Sequence, residues 1–202
     1  MSDLRLITAA STSPVTMTEA RAHLRDTDDD NITEIELKLR AAVDYCQRKI
    51  GGHRQLMSAT YDYNLDEFPA YAVDDRIVLP MPPLNRVMWV KYYDTDGALQ
   101  TWGSTTGSTG STGYYTTVKG TDTPGYIVPA YSKTWPSTRY RPDAVTIRFI
   151  AGSTSATTVP DCVKAAVLLK LEHLYDPERV EESQQNRAID ALLAGVNYGH
   201  YG

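Results

Sequence analysis

The chain has 202 residues, of which 42% are hydrophobic and 22% charged, and its formal net charge is −5. That length suits one large domain or two small ones, with a core that needs no disulfide or metal staple. The acidic balance argues against broad nonspecific binding to nucleic acid, which needs a basic face, and no run nears the roughly 20 apolar residues of a membrane span.

At the N-terminus, Leu4, Leu6 and Ile7 form an apolar cluster too short for the core of a signal peptide. The expectation is a protein made and folded in a cytoplasm. The first helical signal is SPVTMTEARAHLRD (13–26), where Thr16 and Glu19 have capping-box spacing and a short helix from about Met17 to Arg25 follows. Ile32, Ile35, Leu39, Ala42, Val43, Cys46 and Ile50 then recur at spacings of three and four, a single apolar stripe that Gly51-Gly52 closes.

From residue 55 the period becomes two. Strands are predicted at 57–68, 75–80 and 85–94, the last being NRVMWVKYYD, rich in β-branched and aromatic residues. Asp96-Gly97 turns the chain back into ALQTW (98–102) as a hairpin. Short strands follow at 113–118, 125–128 and 143–150, giving a small antiparallel sheet or barrel with no helix between 55 and 157. Pro80, Pro82 and Pro83 precede the best strand; lacking N–H donors, they are expected to fix its approach at a sheet edge. The GSTTGSTGSTG stretch (103–113) reads as a solvated loop.

Helix returns at VPDCVKAAVLLKLEHLYD (159–176). Pro160 suits the first turn, Asp161 complements the dipole, and Val163, Ala166, Val167, Lys170, Leu171 and Leu174 share a mostly apolar face. A last helix, from about Arg179 to Leu193, carries Ile189, Leu192 and Leu193. The fold expected is α+β: a four-helix bundle built from residues 1–54 and 158–194, an antiparallel β domain inserted at 55–157, and an extended tail over 195–202. Neither helix pair buries its stripe alone, so the two ends must pack together.

Candidate chemistry is thin. Asp26, Asp28 and Asp30 match the first positions of a calcium loop, but Asn31 stands where glycine is expected and Leu37 where a bidentate glutamate must sit, so an acidic interhelical turn with an Asx cap is favoured. The Gly-Ser-Thr stretch lacks the lysine of a phosphate loop. His23, His53, His173 and His200 are scattered, and Cys46 and Cys162 read as isolated buried thiols. Asp62, Asp66 and Glu67 are the carboxylates closest to an acid–base arrangement, without any nucleophile signature beside them. Tyrosine is over-used, at 14 against 2 Phe. About half of these rings suit a small β core; the surplus favours surfaces that are wet when free and buried on contact.

The order of these motifs resembles the head–tail connector (adaptor) family of tailed bacteriophages, in its longer members with a β insertion. The residues that carry the resemblance are SPVTMTEARAHLRD, DDDNITEIELKLRAAVDYCQRKIGG, LDEFP (65–69), LPMPPLNRV (79–87), VKYYDTDG (90–97), Trp135-Pro136, Ala151-Gly152 and VPDCVKAAVLLKLEHLYDPER, together spanning residues 4–180. The Gly-Ser-Thr loop and the last segment lie outside it. The resemblance implies a noncatalytic virion protein of the neck, with no cofactor, metal or catalytic residue. It implies a homo-oligomeric ring, typically dodecameric, beneath the portal protein, which extends the double-stranded DNA channel and docks the next neck, stopper or tail protein. A mildly acidic wall suits DNA that must slide without sticking. Because C-terminal segments of the family commonly engage the portal, Leu192, Leu193, Asn197, Tyr198, His200 and Tyr201 are the candidate portal contacts. The rival readings are another neck or tail-completion subunit and a small enzyme acting on glycans or nucleic acid.

Overall fold

The computed structural model describes residues 2–50, 54–69, 75–103, 114–120, 123–178 and 181–196. They divide into two units, a β unit of residues 2–11 and 58–152 and a helical unit of residues 12–57 and 153–196.

In the β unit the strands are β1 (Ser2–Thr8), β2 (Ala59–Leu65), β3 (Ile77–Val78), β4 (Leu84–Tyr93), β5 (Leu99–Thr101), β6 (Tyr115–Val118), β7 (Tyr126–Pro129) and β8 (Val145–Ala151). They form two antiparallel sheets, a five-stranded one in the order β1-β2-β8-β4-β5 and a three-stranded one in the order β3-β7-β6. The core face of the larger sheet carries Tyr61 on β2, Val87 and Val90 on β4, and Val145, Ile147 and Phe149 on β8. An aromatic group completes this core. Trp135 stacks on Phe68 at 4.8 Å and meets Trp102 at 4.6 Å, Trp102 stacks on Tyr115 at 5.8 Å, and the Trp135 indole N–H donates to the Asp75 carbonyl at 2.8 Å. Burial pushes the Tyr115 hydroxyl up to about 12.

The topology corrects one expectation and refines another. The N-terminal residues had been read as part of the helical segment, yet β1 pairs along β2 from Ser2 opposite Leu65 to Thr8 opposite Thr60. Its exposed residues gave no alternating burial signal. The proline-led strand, β4, lies between β8 and β5 as a whole, while its entry is at an edge as expected. Its register with β5 covers Lys91 to Tyr93, so the first half of β4 has β8 as its only partner strand among the described residues. The Asp-Gly hairpin forms as expected: Gly97 has φ +85°, its N–H donates to the Asp94 carbonyl at 2.9 Å, and the Asp94 carboxylate accepts from the Ala98 N–H at 2.8 Å.

In the helical unit, α1 (Met17–Leu24), α2 (Ile32–Lys49), α3 (Asp161–Tyr175) and α4 (Glu182–Ala194) pack together as a bundle, with α3 touching each of the other three. The capping box is complete: the Glu19 N–H donates to Thr16 Oγ1 at 3.2 Å, and the Thr16 N–H donates to the Glu19 carboxylate at 2.7 Å. That backbone hydrogen bond holds the Glu19 carboxyl below its usual range. Of the α2 stripe, Ile35, Leu39, Ala42, Cys46 and Ile50 are buried. They face Val163, Ala166, Val167 and Leu171 of α3 and Ile189 and Leu193 of α4, which are also buried. Lys170 is buried too, its ammonium 4.5 Å from the centre of the Tyr45 ring, whose hydroxyl donates to Asn186 Oδ1 at 3.2 Å. Both cysteines are free, and burial raises the Cys46 thiol to about 12. In the acidic turn, the Asp28 side chain caps the Asp30 N–H at 3.1 Å, whereas Asn31 makes no capping bond with α2.

Candidate assembly surfaces

The outer face of the five-stranded sheet, opposite the core, is built by register. Arg5 on β1, Asp62 on β2, Arg148 on β8 and Trp89 on β4 lie directly opposite one another in a single row across four strands. Two bulges in β4, between Leu84 and Arg86 and between Val87 and Trp89, set which residues join this face. Each adds a residue, so Leu84, Val87 and Val90 stay inside while Arg86, Trp89 and Lys91 all point out. Strict alternation back from Tyr92 would have turned Arg86 into the core.

Charge and aromatic surface alternate along this face. Arg148 grips Asp62 with two parallel bonds, Nε to Oδ1 and Nη2 to Oδ2, each 2.7 Å. That carboxylate raises the guanidinium further above its ordinary value. The Arg148 guanidinium also lies 4.7 Å from the Trp89 ring centre, and the Lys91 ammonium lies 4.8 Å from it. Two residues on, Tyr93 is covered by the Arg141 guanidinium at 4.0 Å. Aromatic faces are electron-rich, so each cation gains attraction while its stem covers the ring. Arg5 and Arg86 are exposed and make no ion pair among the described residues.

A second surface is the irregular segment between β7 and β8. Its backbone is tied to the sheet by the Arg139 N–H donating to the Tyr93 carbonyl at 3.1 Å and the Asp143 N–H donating to Asp66 Oδ1 at 3.2 Å. Trp135 roots it in the core. Tyr131 and Tyr140 are each 99% exposed, so two large rings stand in water on an anchored segment. Such rings lose little freedom on contact and are favoured as interface anchors. The tyrosine surplus read from the sequence therefore divides: Tyr61 and Tyr115 are core, while Tyr114, Tyr131 and Tyr140 are surface.

The residues singled out for chemistry have other partners. Asp62 is held by Arg148, Asp66 accepts from Asp143, and Glu67 is exposed. His23 Nε2 lies 3.4 Å from the Glu172 carboxylate, and His173 is half-buried. Among the described residues no three His, Cys, Asp or Glu side chains gather as a metal site, and no helix is long and apolar enough to cross a membrane. Of the portal-contact candidates, Leu193 is 2% exposed inside the bundle and Leu192 is half-buried beside it. Asn197, Tyr198, His200 and Tyr201 lie outside the described residues, as do His53, Gly51-Gly52 and residues 104–113 of the Gly-Ser-Thr stretch. The cation–aromatic row was missed by the sequence reading, although the period-two order Trp89, Lys91, Tyr93 was a usable signal.

No family model matches the chain, and no curated protein matches it in sequence. In fold it is similar to a chain from the neck of an empty GTA particle computed with C6 symmetry, at a TM-score of 0.71 and 20% identity over 99% of this chain and 97% of that one. It is similar to a chain of the virion of a native gene transfer agent particle at 0.71 and 19%, over 98% and 97%. A chain from the neck of the native particle computed with C12 symmetry gives 0.66 and 20%, over 99% and 97%. At such identities the likeness is one of fold, and it runs the length of both units.

Proposed function

We propose that the chain is a noncatalytic structural subunit of the neck of a tailed phage or phage-like particle, acting as the head–tail adaptor. In this reading its copies form a ring beneath the portal protein, extend the channel through which double-stranded DNA passes, and dock the next neck or tail component. It is made in the host cytoplasm and ends in the virion. The observation that carries the reading is the fold likeness to neck chains over nearly the whole of both partners, which includes the helices and the inserted β unit together. The C6 and C12 symmetries of those necks support a homo-oligomeric ring. The motif order in the sequence supports the adaptor role within the neck. The surfaces agree with structural work: exposed Tyr131 and Tyr140 on an anchored segment and a charged sheet face are means of contact.

For the portal contact we retain Leu192 with Asn197, Tyr198, His200 and Tyr201, since Leu193 is occupied within the bundle. The test is capture of the full-length chain on the portal ring encoded in the same genome, beside a truncation ending at Gly195. Capture of the full-length chain alone supports the adaptor role with a tail contact. Equal capture of both keeps the role and moves the contact to the helices or the β unit. Capture of neither, with an intact portal ring, overturns the adaptor role and leaves a different neck subunit.

A further inference from the structure

The helical half of the chain is the acidic half. Residues 12–57 and 153–202 hold eleven Lys and Arg against fifteen Asp and Glu, whereas residues 1–11 and 58–152 hold nine against ten. The β unit as a whole carries no positive surplus, but cations gather on its outer sheet face, where Arg5, Arg86, Lys91 and Arg148 stand. Asp62 neutralises Arg148 there, but Arg5, Arg86, Lys91 and Arg141 have no carboxylate partner among the described residues.

In the helical unit, exposed carboxylates gather at one end. His23 of α1 meets Glu172 of α3 at 3.4 Å, and Lys38 of α2 lies 5.1 Å from the Tyr175 ring of α3. These contacts bring the α1–α2 turn to the same end of the bundle as the C-terminus of α3. Asp28, Asp30, Asp176 and Glu178 are exposed there without an ion pair among the described residues, and Arg25 and Arg179 are the cations nearby in sequence. Leu37, in the same turn of α2 as Lys38, is 67% exposed, the most exposed aliphatic side chain among the described residues.

We infer that the sheet face around Trp89 of one copy receives the acidic, Leu37-bearing end of the helical unit of a second copy; the inference rests on the ring reading above. Charge complementarity selects this occupant. Carboxylates match the unpaired cations, and Leu37 supplies the apolar anchor that a half-buried Trp89, already met by two cations, accepts at its rim. The two surfaces are different, so the contact is head-to-tail. Such a contact propagates and closes into a ring when the rotation permits, and in a ring of more than two copies it leaves no isolated dimer.

The test uses two reversed full-length chains. The first carries Arg86→Glu and Lys91→Glu, and the second carries Asp176→Lys and Glu178→Lys. Circular dichroism checks that each is folded, and sedimentation velocity reads assembly at low and high salt. The wild-type chain is expected to self-associate in a salt-sensitive way, and each reversed chain alone to lose at least about tenfold in association. An equimolar mixture should assemble again beyond a dimer, because each copy then finds its complement on both sides. A photo-crosslinker at Tyr93 in the wild type should capture residues 26–38 or 172–178 of a neighbour.

Four results would overturn the inference. One is a wild-type chain that stays monomeric at low salt and high concentration. Another is a ring that survives either reversal or crosslinks elsewhere, which leaves the ring reading intact while removing this contact. The third is loss of duplex DNA binding in the first variant with self-association unchanged, which would assign the face to phosphate. A mixture that stops at a dimer would mean that the two sheet faces meet each other, and also overturns it.

Discussion

The Asp62–Arg148 fork should stabilise the β unit measurably, and its size follows from its surroundings. The two side chains are 13% and 30% exposed. Fully exposed pairs contribute about 0.2–1 kcal/mol, and breaking a fully buried pair costs about 3–5 kcal/mol. Partial exposure screens the pair, while the bidentate geometry at 2.7 Å favours it. Asp62→Ala is therefore expected to cost about 2 kcal/mol, and the coupling from a cycle with Arg148→Ala to be about 1–1.5 kcal/mol. The assay is urea unfolding followed by tryptophan fluorescence. All three tryptophans, Trp89, Trp102 and Trp135, belong to the β unit, so the signal reports that unit alone. With a slope of about 2 kcal/mol per molar urea, the midpoint should fall by about 1 M. A coupling below about 0.3 kcal/mol would show that the fork behaves as an ordinary solvated pair and does not organise the row.

Thr16→Ala removes the α1 cap and should cost about 1 kcal/mol, read by helical ellipticity during denaturation. Because the Glu19 carboxyl is held below its ordinary value of 4.5, its contribution is complete above 4.5 and is lost as pH falls through the lowered folded value. Wild type and Glu19→Gln should thus differ in stability at neutral pH and converge in acid. Gly125→Ala should destabilise the β unit by about 1–3 kcal/mol, since a Cβ there would lie 2.5 Å from Leu84 Cβ; an unchanged urea midpoint would contradict the close approach of the two sheets. Leu193→Ala should cost about 2–5 kcal/mol in bundle stability and Leu192→Ala much less, so portal capture lost only with Leu193→Ala would reflect unfolding. Tyr131→Ser with Tyr140→Ser should leave both midpoints unchanged, as rings 99% exposed hold nothing in the fold, while weakening assembly if they are contact anchors.

The helices were legible because their residues repeat with a regular period and end at recognisable caps. The α2 stripe reads at three and four, and the structure buries Ile35, Leu39, Ala42 and Cys46 from it. Thr16 and Glu19 announced the start of α1. Strands β2 and β8 were legible by alternation, and β4 by its run of β-branched and aromatic residues despite its bulges. Strand β1 was not, because its alternation is confined to Asp3-Leu4-Arg5-Leu6 and most of its residues are exposed, so Leu4, Leu6 and Ile7 read only as a short apolar cluster. The division of the β-rich segment into two sheets was hidden because β3 holds two residues and pairs with β7, some fifty residues later. Bulges change register without changing composition, so the outward turn of Arg86 could not be seen in the sequence. The burial of Leu193 was hidden for a related reason. Leu192 and Leu193 look alike in a list of apolar residues, and only the rotation of α4 against the bundle distinguishes them.

The insertion of strands β2 to β8 between α2 and α3 has a kinetic consequence. The helices with the most extensive mutual packing, α2 and α3, are separated in sequence by residues 50–160, so their meeting closes a long loop. Closing it as free chain is entropically unfavourable. Once the β unit has folded, residues 58 and 152 are held in one compact body, and the adjoining Ser153 N–H can donate to the Leu56 carbonyl at 3.0 Å. The sheet is then a precondition for rapid bundle closure, while the bundle is no precondition for the sheet. Variants that weaken the β unit should slow the appearance of helical ellipticity as well as of tryptophan fluorescence, and variants in α3 or α4 should slow ellipticity alone. A subunit so ordered matures from its insert outward.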